Sequence, residues 1–298
     1  NNFNIVGVVT ASDKKAGRGK TLSSSAVKKV AEHFTIPLLQ PESLRDEIFI
    51  TELKNLRADL FIVIAFRMLP EVVWKLAPMG TFNLHASLLP QYRGAAPINR
   101  AIMNGESETG LTTFLINNKI DHGNIILQKK LKIGSEENSG ELHDRMIEES
   151  KDLVIQTIEK IASGEINLID QNDFISLDAK LREAPKIFKN DCKINWSNSG
   201  VMIYNHIRGL SPYPGATATF FSSNGKEIEL KIYQSRFEPD ISSDGSLTLL
   251  TDNKSFLKVA LKDGFIFLET IQQAGKKALG VKFFLQGYIF EAFWQAKP

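Results

Sequence analysis

Two uninterrupted apolar runs, Ile5-Val6-Gly7-Val8-Val9 and Leu60-Phe61-Ile62-Val63-Ile64-Ala65, constrain the fold most. A strand with one wet face alternates apolar and polar residues, so runs without alternation predict strands buried on both faces of a parallel sheet. Parallel strands need crossover helices, and the intervening sequence offers them. Ser23-Ser24-Ser25 predicts a helix start ahead of Val27, Val30, Ala31 and Phe34, which follow helical spacing until Pro37 ends the pattern. A second helix is expected over 44–56, a third after Pro70, strands over 81–85 and 111–116, and a long helix over 139–163. This alternation predicts an open α/β domain over residues 1–180.

The pattern then changes. Gly164 closes the long helix, residues 181–204 read as a linker with a connecting helix toward 196–210, and Ser211-Pro212-Tyr213-Pro214-Gly215 breaks the chain. Residues 205–298 hold short alternating runs, 217–221, 228–233, 247–250, 256–260 and 265–268, separated by Asn224-Gly225, Asp244-Gly245 and Asp263-Gly264. Such spacing predicts a small β-barrel as a separate C-terminal domain. A single cysteine, Cys192, excludes an internal disulfide framework and points to a reducing compartment. With 36 Lys and Arg against 34 Asp and Glu, charge alone does not announce a nucleic-acid partner. No apolar run approaches the roughly 20 residues of a membrane span, no signal-peptide pattern opens the chain, and no Cys/His spacing suggests a metal.

Three segments could carry chemistry. In Asn83-Leu84-His85-Ala86-Ser87-Leu88-Leu89-Pro90 polar residues interrupt a core strand, and period-two geometry puts Asn83 and His85 on one side of it. At the carboxyl end of a strand they would face the crevice where open α/β sheets bind ligands, an amide and an imidazole placed to stabilise a developing oxyanion. The same residues also suit a plainer role, strand-end hydrogen bonding by Asn83 and a satisfied buried histidine. The second segment, Ile120-Asp121-His122-Gly123-Asn124, offers a carboxylate that could orient His85, or a common turn. The third, Asp13 to Lys20, has four cations and two glycines and lacks the P-loop form; it reads equally as a polyanion contact or a solvated turn. The late Gly275-Lys276-Lys277 carries the same ambiguity, while Phe283, Phe284, Tyr288, Phe290, Phe293 and Trp294 read as core or interface.

The run from Asn83 to Asn99, Asn-Leu-His-Ala-Ser-Leu-Leu-Pro-Gln-Tyr-Arg-Gly-Ala-Ala-Pro-Ile-Asn, resembles the methionyl-tRNA formyltransferase family. Ala16-Gly17-Arg18-Gly19-Lys20, Glu108-Thr109-Gly110, Ile120 to Asn124, Asn138-Ser139-Gly140-Glu141-Leu142, Pro212-Tyr213-Pro214-Gly215 and Gly275-Lys276-Lys277 extend the likeness over nearly the whole chain. The resemblance implies a mostly parallel Rossmann-like sheet followed by an OB-like barrel. It implies Asn83, His85 and Asp121 as catalytic residues, Ser87, Leu88, Leu89 and Pro90 as part of the reduced-folate site, and Arg18, Lys20, Lys276 and Lys277 as tRNA contacts. The formyl donor would be 10-formyltetrahydrofolate, the acceptor charged initiator tRNA, and the enzyme a metal-free cytoplasmic monomer. A related formyltransferase of amino sugar nucleotides and a noncatalytic tRNA-binding protein are the competing readings. The sequence departs from the family where Phe66-Arg67-Met68 replaces a Tyr-Gly-containing stretch and where His122 and Asn124 replace Thr and Asp. The match begins after the family's first strand and its Gly-Thr-Pro-type turn, so roughly 25 family residues fall ahead of Asn1; numbering and physical absence both stay open, and physical absence would remove a central parallel strand.

Overall fold

The computed structural model describes residues 3–16, 21–174, 180–291 and 293–297. Spatial clustering divides the chain into two compact units, each discontinuous in sequence: Asn1–His85, Thr113–Leu127 and Val154–Phe174 in one, Ala86–Thr112, Gln128–Leu153 and Ile175–Pro298 in the other.

The first unit is built from parallel crossovers. Strand β1 (Val8–Val9) pairs in parallel with β2 (Leu38–Leu39), and helix α1 (Ala26–His33) lies between them in the chain. The Ser25 hydroxyl caps α1 by accepting from the Lys28 N–H at 3.0 Å, so the serine run does start a helix. Helix α2 (Glu47–Asn55) brings Phe49 and Leu53 into a core with Leu44 and Val73. It begins at Glu47 rather than 44 because Asp46 takes the cap, accepting from the Phe49 N–H. Strand β3 (Phe61–Ile64), helix α3 (Glu71–Trp74) and strand β4 (Thr81–His85) form a second parallel crossover, with Val63 opposite Asn83. Strands β5 (Glu108–Leu115) and β6 (Ile125–Lys132) complete a four-stranded sheet of order β3-β4-β5-β6. The Leu115 N–H meets the Asn124 carbonyl and the Ile133 N–H meets the Ser107 carbonyl, so β5 and β6 run antiparallel.

Burial on both faces fails at β1 and β3. Ile5 is 62% exposed, Val8 and Val9 are half-buried, and β3 exposes Ile62 and Ile64 while burying Val63. Among the described residues β1 pairs with β2 alone, and β3 ends its sheet. A β-branched run records strand propensity as well as burial.

In the second unit, strands β7 (Ala216–Ser222), β8 (Glu227–Pro239), β9 (Leu249–Thr251), β10 (Leu257–Leu261), β11 (Gly264–Gln273) and β12 (Trp294–Ala296) pair in the order β9-β10-β11-β8-β7-β12. The two ends of this order meet: the Ala296 N–H donates to the Leu247 carbonyl at 2.9 Å and Thr248 bridges Gln295, which almost closes the sheet into a barrel. Alternation along β7 sends Ala216, Ala218 and Phe220 inward. The aromatic residues Phe284, Phe290 and Trp294 lie in the same core.

Helix α4 (Pro97–Met103) and helix α6 (Gly200–Gly209) hold the barrel to the segments grouped with it. A side chain on Gly209 would meet the Met103 side chain at 2.5 Å, so glycine permits the close approach. The Asn99 amide donates to the Gly209 carbonyl at 2.7 Å, and Ser139, at the start of the long helix α5 (Ser139–Ser163), donates to the Ser211 carbonyl at 2.7 Å. The connecting helix starts at Gly200 rather than 196 because Ser199 caps it, which leaves Trp196 free to fill the barrel core. No helix among the described residues is long and apolar enough to cross a membrane.

Phe82, fully buried in β4, packs with Ile126 of β6 and Ile161 of α5. Phe82→Ala is expected to lower the unfolding free energy by about 3–5 kcal/mol, read as a lower urea midpoint. An unchanged midpoint would contradict the packing described.

Candidate active site

Alternation along β4 sends Phe82 into the core and places Asn83 and His85 on the opposite side of the strand. His85 is the last strand residue and is buried; Asn83 is half-buried. Asp121 lies in the turn between β5 and β6, and its Oδ2 stands 3.8 Å from His85 Nδ1, both side chains being largely sheltered. That separation is in ion-pair range and longer than a hydrogen bond. The structure therefore brings together two groups separated by 36 positions in the chain.

The turn that delivers Asp121 is tightly specified. Asp121 has φ of 56°, in the left-handed region that costs an ordinary L-residue energy. Two residues on, a Cβ at Gly123 would fall 1.5 Å from the Leu115 carbonyl oxygen, so only glycine allows the turn to lie this close to β5. Gln171 fixes the other side: its Nε2 donates to the Asp121 carbonyl at 2.9 Å and to the Gly123 carbonyl at 2.8 Å. Paired backbone hydrogen bonds between Ile125 and Ile169, at 2.8 and 3.0 Å, bring this distant segment alongside the turn. Sequence reasoning passed over Gln171, which sits in a stretch of mixed composition with no local motif. His122 is exposed, its ring Nδ1 turned to the Ile120 carbonyl.

In the second unit, residues 87–90 form a loop whose conformation is set by buried polar groups. The Thr112 hydroxyl donates to the Ser87 carbonyl at 2.7 Å and accepts from the Leu89 N–H at 3.2 Å and from Gln128 Nε2 at 2.9 Å. Gln128 also donates to the Leu89 carbonyl at 2.8 Å, and the Ser87 hydroxyl donates to the Gln91 carbonyl at 2.6 Å. Leu89 precedes a cis Pro90. Ser87, Leu89 and Pro90 are buried and Leu88 is half-buried, so a ligand at this loop would meet Leu88 and main chain rather than the serine hydroxyl.

Of the four expected polyanion contacts, Lys276 and Lys277 are exposed in the turn after β11. The Lys276 N–H donates to the Gln273 carbonyl, and Gln272 donates to the Lys276 carbonyl. Arg18 and Lys20 lie outside the described residues. Among the described residues no group of three or more His, Cys, Asp or Glu side chains is placed to hold a metal ion.

Comparison with known proteins agrees with this architecture. Residues 1–158 match the formyl transferase family and residues 186–289 match the formyl transferase C-terminal domain. The methionyl-tRNA formyltransferase of Parabacteroides distasonis is 49% identical over 287 residues, covering 96% of this chain and 89% of the relative. That of Flavobacterium johnsoniae is 47% identical over 97% of this chain and 90% of its own length. The chain belongs to the methionyl-tRNA formyltransferase family. Solved structures share the fold at lower identity. HypX from Aquifex aeolicus in complex with tetrahydrofolic acid superposes with a TM-score of 0.60 at 17% identity, over 88% of this chain and 44% of that one. The sugar 3N-formyl transferase WlaRD gives 0.58 at 20% identity, over 84% and 82%. The family assignment accounts for a Rossmann-like sheet joined to an OB-like barrel in one chain.

Thr112→Val keeps the shape of a fully buried side chain and removes its hydroxyl, leaving the Ser87 carbonyl and Leu89 N–H without this partner. The expected loss of stability is about 1–3 kcal/mol by urea unfolding, with Thr112→Ser close to wild type. Equal stability for the valine and serine variants would mean that the hydroxyl does not hold the loop.

Proposed function

We propose that the enzyme transfers the formyl group of 10-formyltetrahydrofolate to the α-amine of methionyl initiator tRNA, with Asn83, His85 and Asp121 as the catalytic residues. The observation that carries the residue assignment is the sheltered 3.8 Å approach of Asp121 to His85 at the carboxyl end of β4. An aminoacyl amine with a reference pKa of about 7.7 is substantially neutral at cellular pH and can attack. Its lone pair adds to the formyl carbon while the carbonyl electron pair moves onto oxygen. The Asn83 amide and the His85 imidazole stabilise that oxyanion, and Asp121 holds the imidazole oriented. The amine surrenders a proton, the oxyanion re-forms the carbonyl, and the bond to folate nitrogen breaks as that nitrogen takes a proton. The products are formylmethionyl-tRNA and tetrahydrofolate.

The loop of Ser87, Leu88, Leu89 and Pro90 would present its main chain and Leu88 to the reduced folate. Arg18 and Lys20 would meet the acceptor arm of the tRNA, with Lys276 and Lys277 adding phosphate contacts from the barrel, so that affinity falls as salt rises. The same reading makes the protein a cytoplasmic monomer.

Single-turnover transfer from 10-formyltetrahydrofolate tests the reading, with methionyl initiator tRNA, methionyl elongator tRNA and an amino sugar nucleotide as competing acceptors. Preference for the initiator is expected; preference for the sugar nucleotide, or no transfer to any acceptor, would overturn it. Asp121→Asn is expected to leave folding and tRNA binding intact and to slow transfer about tenfold or more, because the imidazole loses its charged partner. A near-normal rate would remove Asp121 from the mechanism. Arg18→Ala should raise the KM for charged tRNA and leave folate binding unchanged, and equal damage to both would mean that the loop meets folate instead.

A further inference from the structure

We infer that Gln171 is a positioning residue for the transfer reaction, fixing the turn that carries the Asp121 carboxylate beside His85. This rests on the assignment of Asp121 made above. A primary amide has two N–H protons on one nitrogen, and Gln171 directs both to main-chain carbonyls of the turn, those of Asp121 and Gly123. These two carbonyls flank His122, so a single side chain spans the segment whose geometry aims the carboxylate. Gln171 is 2% exposed, so water does not readily replace it.

The turn needs such a clamp. Left-handed backbone at Asp121 is disfavoured for a residue with a Cβ, and contact between Gly123 and the Leu115 carbonyl restrains only the side facing β5. The His122 N–H reaches the Lys119 carbonyl at 3.4 Å, whereas the two bonds from Gln171 are 2.8 and 2.9 Å. The clamp is also anchored. Ile169, two residues before Gln171, exchanges both main-chain hydrogen bonds with Ile125 at the start of β6. The amide therefore approaches the turn from a fixed register, and glutamine has the reach that asparagine, shorter by one methylene, lacks. If the amide is lost, the 3.8 Å separation of the carboxylate and imidazole is no longer enforced, and displacement of a catalytic group by about 1 Å costs rate steeply.

Gln171→Met is close to isosteric and donates no hydrogen bond. It is expected to lower kcat about tenfold, to leave the KM for folate and for charged tRNA within about twofold, and to shift the pH–rate profile of the folded enzyme. Gln171→Glu faces a carboxylate against two carbonyls and should be slower than the methionine variant at neutral pH, recovering in part as acid protonates it. Near-UV circular dichroism and a thermal melt establish that each variant is folded, which a merely structural residue would fail or pass without change in kcat or pH profile. The deciding measurement repeats Gln171→Met in an Asp121→Asn background. If Gln171 acts through the carboxylate, the second substitution adds little to the loss from the first. A full additional loss in that background, or a Gln171→Met enzyme with normal kcat and pH profile, overturns the inference and leaves the role of Asp121 standing. A fully active Asp121→Asn enzyme overturns the catalytic reading itself, and the inference falls with it.

Discussion

The alternation of side chains across β4 is the constraint on which the candidate site depends. Five residues serve two purposes because successive positions face opposite ways: Phe82 is committed to the core, while Asn83 and His85 occupy the other side. Polar groups in a core strand would ordinarily cost stability. Here the cost is limited because the strand ends at His85, where backbone pairing stops, and because Thr81 and Phe82 carry the burial. The hydroxyl of Thr81 donates to the Trp74 carbonyl at 2.7 Å, so even that buried polar atom is satisfied.

The imidazole at the strand end is approached by a turn whose main chain is constrained at three points. Asp121 accepts left-handed backbone, which Asp and Asn tolerate better than most residues. Gly123 is required by contact with β5, and Gln171 satisfies the carbonyls the turn would otherwise bury. His122 and Asn124 are compatible with this scheme, since both side chains are exposed and the clamp binds main-chain atoms.

What was legible in the sequence follows from range. The Ser25 cap, the placement of Asn83 and His85 on one side of β4, and the turns Asn224-Gly225 and Asp263-Gly264 between barrel strands are local features read directly from neighbouring residues. The exposure of Ile62 and Ile64 in β3 is not legible in the run itself, because a strand run does not reveal how many neighbours it pairs with. The start of α6 was set too early because Trp196 has the right period for a helix and is instead drawn into the barrel core, ahead of the Ser199 cap. Gln171 had no signal at all: its partners are 48 and 50 residues away, and glutamine in a mixed segment looks like solvated linker. Thr112 was hidden differently, inside a strand read only for its apolar residues, because a threonine with a buried hydroxyl has the same pattern as one that merely favours strands.

Thr112 and Gln171 show two loops, one in each unit, hung from polar groups rather than from apolar contacts. Apolar packing is non-directional, and a loop resting on it can slide by a fraction of an ångström at little cost. A buried hydroxyl with three partners, or an amide with both protons engaged, fixes distance and angle together, and any slip leaves a buried donor or acceptor unpaired. The penalty for misplacement is therefore steep even though the net contribution of each hydrogen bond to stability is about 1 kcal/mol. Each clamp lies within one compact unit, Gln171 with the Asp121 turn in the first and Thr112 with residues 87–90 in the second. The geometry of each loop is thus set inside the body that carries it, before any substrate contributes binding energy to the arrangement.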